Sequence, residues 1–178
     1  RLAEVLARVI GKARWLSGPA QINIPRDMWT QIVDVELPQA LALERSPGGE
    51  TSVAHAARLL SEAANPVILN GAGVVLSPGG IPASKALAER LDAPVCVNYQ
   101  HNDAFPGSHP LFAGPLGYNG SKAAMEIIKD ADVVLALGTR LNPFSTLPGY
   151  GMDYWPDEAA LIQVDINADR IGLTKPVA

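Results

Sequence analysis

Cysteine is nearly missing from this chain: its 178 residues hold one, Cys96. That excludes an internal disulfide and any cysteine-rich zinc site. Excess positive charge is missing too. The formal net charge is −4 and the pI about 5.3, whereas a nucleic-acid binder needs a basic face. No apolar run approaches the ~18 residues of a membrane span. Arg1–Gly11 is charged and amphipathic, unlike a signal peptide with a basic start and an apolar stretch. No internal repeat or low-complexity segment is present. The expectation is a soluble, cytoplasmic enzyme part that contacts neither nucleic acid nor membrane. An initiator Met is lacking and the chain opens on a helical pattern, so a piece of a longer protein is expected. The length leaves room for one domain plus part of another.

What is present is a pair of short apolar runs that each end in glycine. Asn65–Gly73 reads NPVILNGAG and Ala131–Arg140 reads ADVVLALGTR. Such runs suit strands buried on both faces, as in a parallel sheet flanked by helices. Their glycines fall where strand carboxyl ends open into loops, the usual ligand edge of an open α/β sheet. The expected architecture is a doubly wound, mostly parallel α/β sheet.

Around these runs the pattern alternates. Leu2, Val5, Leu6, Val9, Ile10, Ala13 and Leu16 share one helix face, stopped by Ser17-Gly18-Pro19. Ala20, Ile22 and Ile24 alternate with Gln21 and Asn23 as in a strand, which should dock on a sheet mostly outside this chain. Pro38–Glu50 reads as a linker. Thr51 or Ser52 caps a helix to about Ala64, and strand Val67–Asn70 follows. Pro82 opens a helix to Leu91, then comes strand Val95–Asn98. Ser121 caps a helix to about Asp130, before strand Val133–Leu137. A Gly/Pro/aromatic loop, Asn142–Asp157, leads to strand Leu161–Asp165. Residues 1–37 thus close a preceding domain, 38–50 link, and 51–178 form the nucleotide-fold domain.

Few residues carry chemistry. Gly71-Ala72-Gly73 hints at a dinucleotide turn, but that fingerprint needs a third glycine and an immediate helix. Val74–Pro78 intervene, and Asn98 stands where a ribose-binding acid belongs. A tight turn demanding small residues is the simpler reading. Arg140, after Gly138-Thr139, suits either a phosphate contact or a solvated rim. Asp165 suits a ribose or amino group, or caps the next turn together with Asn167. His55, His101 and His109 lack partners at metal or catalytic spacing and read as structural. Cys96 reads as a small core residue, the tryptophans as boundary packing, and Asp130/Asp132 and Asp157/Glu158 as solvated turns.

Two families share strings with the chain. The sirtuin-type NAD deacylases resemble it in Gly71-Ala72-Gly73 and Gly80-Ile81-Pro82. That family needs a catalytic His followed by Gly, where here Ala56, Asn102 and Pro110 follow, and four zinc cysteines. A nucleotide-binding regulatory module is a further alternative.

The larger resemblance is to the thiamine-diphosphate-dependent enzymes of the acetolactate synthase type. GPAQINIPRDMWTQ (Gly18–Gln31) is similar to the end of their first, pyrimidine-binding domain. NPVILNGAGVVLS, DAPVCVNYQHNDAFPGSHPLFAGPLGYNG, ADVVLALGTRLN and LIQVDINADRIG resemble, in order, landmarks of their central domain. Gln21–Val35 looks most like the sulfoacetaldehyde acetyltransferase branch. The resemblance implies a homo-oligomeric parent with thiamine diphosphate and Mg²⁺ bound outside this chain. That parent would convert sulfoacetaldehyde and phosphate to acetyl phosphate and sulfite; other carboligases or decarboxylases of the family, such as acetolactate synthase, are the alternative. The family's catalytic glutamate and its GDG metal motif are not here, so no catalytic or metal residue is expected and the chain alone should be catalytically silent.

In relatives the central crevice holds FAD, ADP or nothing. Matching positions are Gly71, Ala72, Gly73, Asn98, Tyr99, Gly117, Tyr118, Asn119, Gly138, Thr139, Arg140, Asp165 and Ile166. Ala72 interrupts the glycines that flavin-binding relatives favour, and Leu141-Asn142 departs from their aromatic-acidic pair. The resemblance therefore implies an adenine nucleotide or an empty crevice rather than tight FAD.

Overall fold

A computed structural model describes residues 1–39 and 47–178. The chain divides into two compact units, Arg1–Pro47 and Gly48–Ala178. Of the expected linker Pro38–Glu50, residues 40–46 lie outside the described residues.

In the first unit, helix α1 spans Leu2–Leu16 and buries no residue. Ser17 stops it in the left-handed region (φ 48°), its N–H returning to the Ala13 carbonyl. The expected strand at Ala20–Ile24 is extended chain without a ladder among the described residues, followed by a 3-10 turn at Arg26–Met28. Alternation suits a pleat, but a strand exists only where a neighbour accepts its hydrogen bonds.

The second unit holds five parallel strands in the order β3-β2-β1-β4-β5. They are β1 (Pro66–Asn70), β2 (Val95–Asn98), β3 (Phe112–Leu116), β4 (Val133–Leu137) and β5 (Ala160–Val164). Helices α2 (Glu50–Glu62), α3 (Ala72–Leu76), α4 (Gly80–Leu91) and α5 (Lys122–Lys129) fill the connections, with 3-10 turns at Pro143–Ser145 and Ala168–Arg170. Period-two alternation sends the sheet's residues into two cores. Val67, Leu69, Cys96, Val134 and Ala136 meet Ala124, Met125 and Ile128 of α5. Ile68, Val95, Val97 and Leu135 meet Ala88 of α4, with Leu60 of α2 packed alongside. Covered on both faces, β1, β2 and β4 need the continuous apolar runs seen in the sequence. The sheet is doubly wound.

Several boundaries differ from expectation, each for a local reason. Gly49 is the N-cap of α2, without a side-chain hydrogen bond, so Thr51 and Ser52 lie inside the helix. Helix α4 starts at Gly80 behind Gly79, which is at φ 73°; Pro82 therefore sits in the first turn, where its missing N–H costs nothing. Ser121 does cap α5, accepting from the Ala124 N–H. Strand β5 ends one residue before Asp165, whose carboxylate accepts the Asn167 N–H (2.9 Å). Strand β3 escapes the sequence pattern because Gly114 and Pro115 interrupt it. It is an edge strand, where a proline is tolerated.

Asp132 is exposed but is not merely a solvated turn. Its two carboxylate oxygens accept the N–H groups of Ala64 (2.6 Å) and Asn65 (2.9 Å), fastening the turn before β1 to the start of β4. Partial burial opposes the charge. The N–H groups of Ala64, Asn65, Asp132 and Val133 outweigh it and hold the carboxyl below its ordinary range. His109 is structural, as expected. It accepts the Leu111 N–H on Nδ1 (3.2 Å), which leaves Nε2 to donate to Glu89 (3.2 Å).

Candidate functional site

Parallel pairing aligns the strand carboxyl ends at one edge, with Asn70 opposite both Val97 and Leu137, and Leu137 opposite Val164. Strand order reverses between β1 and β4, the switch point where open α/β sheets take ligands. Most of the candidate residues follow strand ends here, but they form separate groups.

The first group is the switch point itself. Helix α3 begins directly at Ala72 with Gly71 as N-cap, so no spacer separates turn from helix, contrary to the sequence expectation. A single turn of helix forms across Ala72–Leu76 because Gly71 and Gly73 let the backbone press onto the turn after β4. The Gly73 N–H donates to the Gly138 carbonyl (2.9 Å), that of Gly71 to Leu137 (2.9 Å), and that of Val74 back to Gly71 (3.1 Å). A Cβ on Gly71 would stand 2.6 Å from both the Gly138 oxygen and the Thr139 Cβ; one on Gly73 would stand 2.6 Å from the Gly138 Cα. Gly138 adopts φ 58°, and a Cβ there would meet Gly73 backbone atoms within 2.5–2.9 Å. These glycines are required by one turn packing on another.

Asn98 and Thr139 close the group. Asn98 Nδ2 donates to Thr139 Oγ1 (3.0 Å), which also accepts the Leu141 N–H (3.2 Å). Asn98 is 8% exposed and its Oδ1 has no partner among the described residues. Neither residue faces open space.

The second group lines a cleft of about 250 Å³ beside the end of β3, formed by Gly117–Gly120, Met125, Leu147, Pro148, Gly149 and Tyr150. Gly117, Tyr118 and Asn119 belong here. Gly117, at φ 82°, packs against the Phe144 and Ser145 backbone, and Tyr118 N–H donates to the Phe144 carbonyl (2.8 Å). Tyr118 is exposed and Tyr99 meets it edge to face at 6.0 Å. Tyr150, also exposed, donates its hydroxyl to the Gly120 carbonyl (3.1 Å). Tyr154 is wholly buried and its oxygen accepts the Gly117 N–H (3.1 Å). Burial pushes that phenol up to about 12, so it stays neutral.

The remaining candidates stand apart. Asp165 lies 4.0 Å from Arg170 and caps its own turn, the simpler of its two readings. Ile166 is exposed. Arg140 is exposed, and its guanidinium has no ion pair among the described residues. Sequence reasoning missed Tyr150, Tyr154, Leu147 and Pro148. Their signal was only the Gly/Pro/aromatic composition of the loop at 142–157. It also missed Asn70, which is wholly buried and donates to Ser84 (2.8 Å) and to the Ala104 carbonyl (3.0 Å), bolting the β2–β3 loop onto β1.

A dinucleotide turn offers free N–H groups to a diphosphate. Here those of Gly71, Gly73 and Val74 are engaged by the protein. With three of the four N–H groups of residues 71–74 so engaged, the switch point does not fit such a group. Among the described residues no cluster of His, Cys, Asp or Glu could hold a metal ion, and no helix is long and apolar enough to cross a membrane.

Comparison with known proteins supplies the relationship. The sulfoacetaldehyde acetyltransferase of Roseovarius nubinhibens is 71% identical over the whole chain, which covers 29% of that protein. A probable sulfoacetaldehyde acetyltransferase of Rhizobium meliloti is 72% identical over 99% of the chain and 30% of its own length. A probable acetolactate synthase large subunit of Methanocaldococcus jannaschii is 34% identical over 87% of the chain, and 27% of that protein is covered. The chain thus spans under a third of the curated relatives it matches. The X-ray structure of a "putative thiamin diphosphate-dependent enzyme" from Mycobacterium smegmatis has the same fold at TM-score 0.60 and 24% identity, covering 80% of this chain and 27% of that one. The profile described as "Thiamine pyrophosphate enzyme, central domain" matches residues 53–178. The chain belongs to the thiamine pyrophosphate enzyme family and carries its central domain.

Proposed function

We propose that this chain is the central scaffold of a thiamine-diphosphate-dependent sulfoacetaldehyde acetyltransferase. The observation carrying this reading is the 71% identity along the whole chain to a relative of that name, against 34% for an acetolactate synthase relative. The parent would convert sulfoacetaldehyde and phosphate to acetyl phosphate and sulfite. Thiamine diphosphate, held with Mg²⁺ outside this chain, would supply the carbanion chemistry, and the protein would bind and orient the reactants. The parent is expected to be a homo-oligomer working in the cytoplasm.

Residues 1–37 are assigned to the close of a neighbouring pyrimidine-binding-type domain. Leu2, Val5, Ile10, Trp15 and Leu16 on α1 are all exposed, as on a face whose partner lies elsewhere. An adenine nucleotide at the carboxyl edge is the secondary reading. Its support is the exposed guanidinium of Arg140 and the ring-sized cleft beside Tyr118 and Tyr150, not the glycine turn.

The test is sulfite release from sulfoacetaldehyde by the full-length protein with thiamine diphosphate, Mg²⁺ and phosphate, with pyruvate as rival substrate. Phosphate-dependent sulfite release is expected. Pyruvate consumption without sulfite would overturn the sulfonate reading and leave the family intact.

A further inference from the structure

We infer that the switch point of this sheet is closed by a protein clasp occupying the place where a dinucleotide fold seats its diphosphate. Three independent features converge. The first is donor engagement: the N–H groups of Gly71 and Gly73 reach Leu137 and Gly138 at 2.9 Å, and Gly138 in turn donates to Val164 at 2.8 Å. A phosphate oxygen would have to displace a backbone carbonyl to reach them. The second is contact: the ideal Cβ positions of Gly71, Gly73 and Gly138 all fall on the opposing turn. No ligand-sized gap separates the turns, and the absent side chains serve the packing. The third is the lock. Asn98 from the end of β2 reaches across Gly71 to Thr139, and Thr139 Oγ1 also holds the Leu141 N–H. Three successive strand ends are thereby joined.

The chemistry of the lock agrees with a closed state. Asn98 is more than nine-tenths buried and one amide atom, Oδ1, lacks a partner among the described residues. A single buried water satisfies such an atom. The ligand class excluded from this position is therefore any nucleotide that binds through a diphosphate on the glycine turn, flavin and nicotinamide dinucleotides included. The inference does not depend on which reaction the parent performs.

Amide hydrogen exchange on the full-length protein tests it, with ADP and FAD as probes. Peptides covering Gly71–Val75 and Gly138–Leu141 should exchange on the order of a hundredfold slower than the unfolded chain without any nucleotide. Saturating ADP or FAD should leave the Gly71–Val75 peptide unchanged, whether or not ADP binds elsewhere on the edge, at Arg140 for instance. Thr139→Val keeps the side-chain shape while removing the lock. It should speed exchange in both peptides, still with no nucleotide response in the first. Rapid exchange in the free protein, or slowing of the Gly71–Val75 peptide on addition of either probe, would each overturn the clasp. Failure of the sulfite assay would not touch it, and loss of the clasp would not touch the sulfite assay.

Discussion

The β1–β4 pair is fastened at both of its ends, by different physics. At the amino end, the Asp132 carboxylate holds two consecutive N–H groups before β1. At the carboxyl end, Gly73 and Gly138 press backbone on backbone under the Asn98–Thr139 bond. One fastening is charged and exposed, the other steric and buried. A charged pin tolerates changes of shape and depends on pH. A steric clasp ignores pH and tolerates no added atom.

The largest effect is expected where the clasp is filled. Gly138→Ala adds a Cβ against Gly73 and fixes a left-handed residue with a side chain. Strain and overpacking should cost about 2–4 kcal/mol, seen as a lower denaturation midpoint in urea. A neutral result would show that the turns can part. Thr139→Val comes next. It leaves the Asn98 amide and the Leu141 N–H unsatisfied in a buried place, at about 1–3 kcal/mol.

Asp132→Asn should do less, within about 1 kcal/mol at neutral pH, because the site is exposed and screened by solvent. Its signature is the pH dependence. The folded-state carboxyl titrates below the unfolded one, so in acid the unfolded chain binds more protons. The stabilisation is fully present above the ordinary carboxylate range and is lost as pH falls through the lowered folded value. Comparing urea midpoints of the parent and Asp132→Asn from neutral to acid pH should show the difference shrinking. A constant difference would mean that charge plays no part in the pin.

The smallest readout lies between the two fastenings. Burial pushes the Cys96 thiol up to about 12, so alkylation should be negligible in the folded protein. Gly138→Ala should raise its labelling rate more than Asp132→Asn does. The reverse order would make the charged pin the stronger fastening.

Strands β1, β2 and β4 were legible because a strand covered on both faces must be apolar throughout. Strand β3 was not, since an edge position admits Gly114 and Pro115, which blunt the pattern. Residues 20–24 alternate like a strand but form no ladder among the described residues, because alternation cannot report whether a ladder partner exists. At the candidate site the glycine positions were visible, but their purpose was not. The same Gly71-Ala72-Gly73 string serves a phosphate cradle or a clasp, depending on whether Gly138 lies opposite. Tyr154 went unnoticed because a tyrosine in a long loop carries no sign that its hydroxyl will meet Gly117.

Local patterning was enough to specify the parallel α/β class, most strand positions and the core role of Cys96, since each rests on the period and polarity of a few neighbouring residues. The order of landmarks was enough to identify the family. Which groups remain available to a ligand was decided only by the fold. Engagement of the Gly71 and Gly73 amides, the Asn98 bridge and the Tyr118–Phe144 bond beside the separate cleft arise from contacts between residues 26 to 66 positions apart in the chain, a separation across which one-dimensional patterning carries no distance.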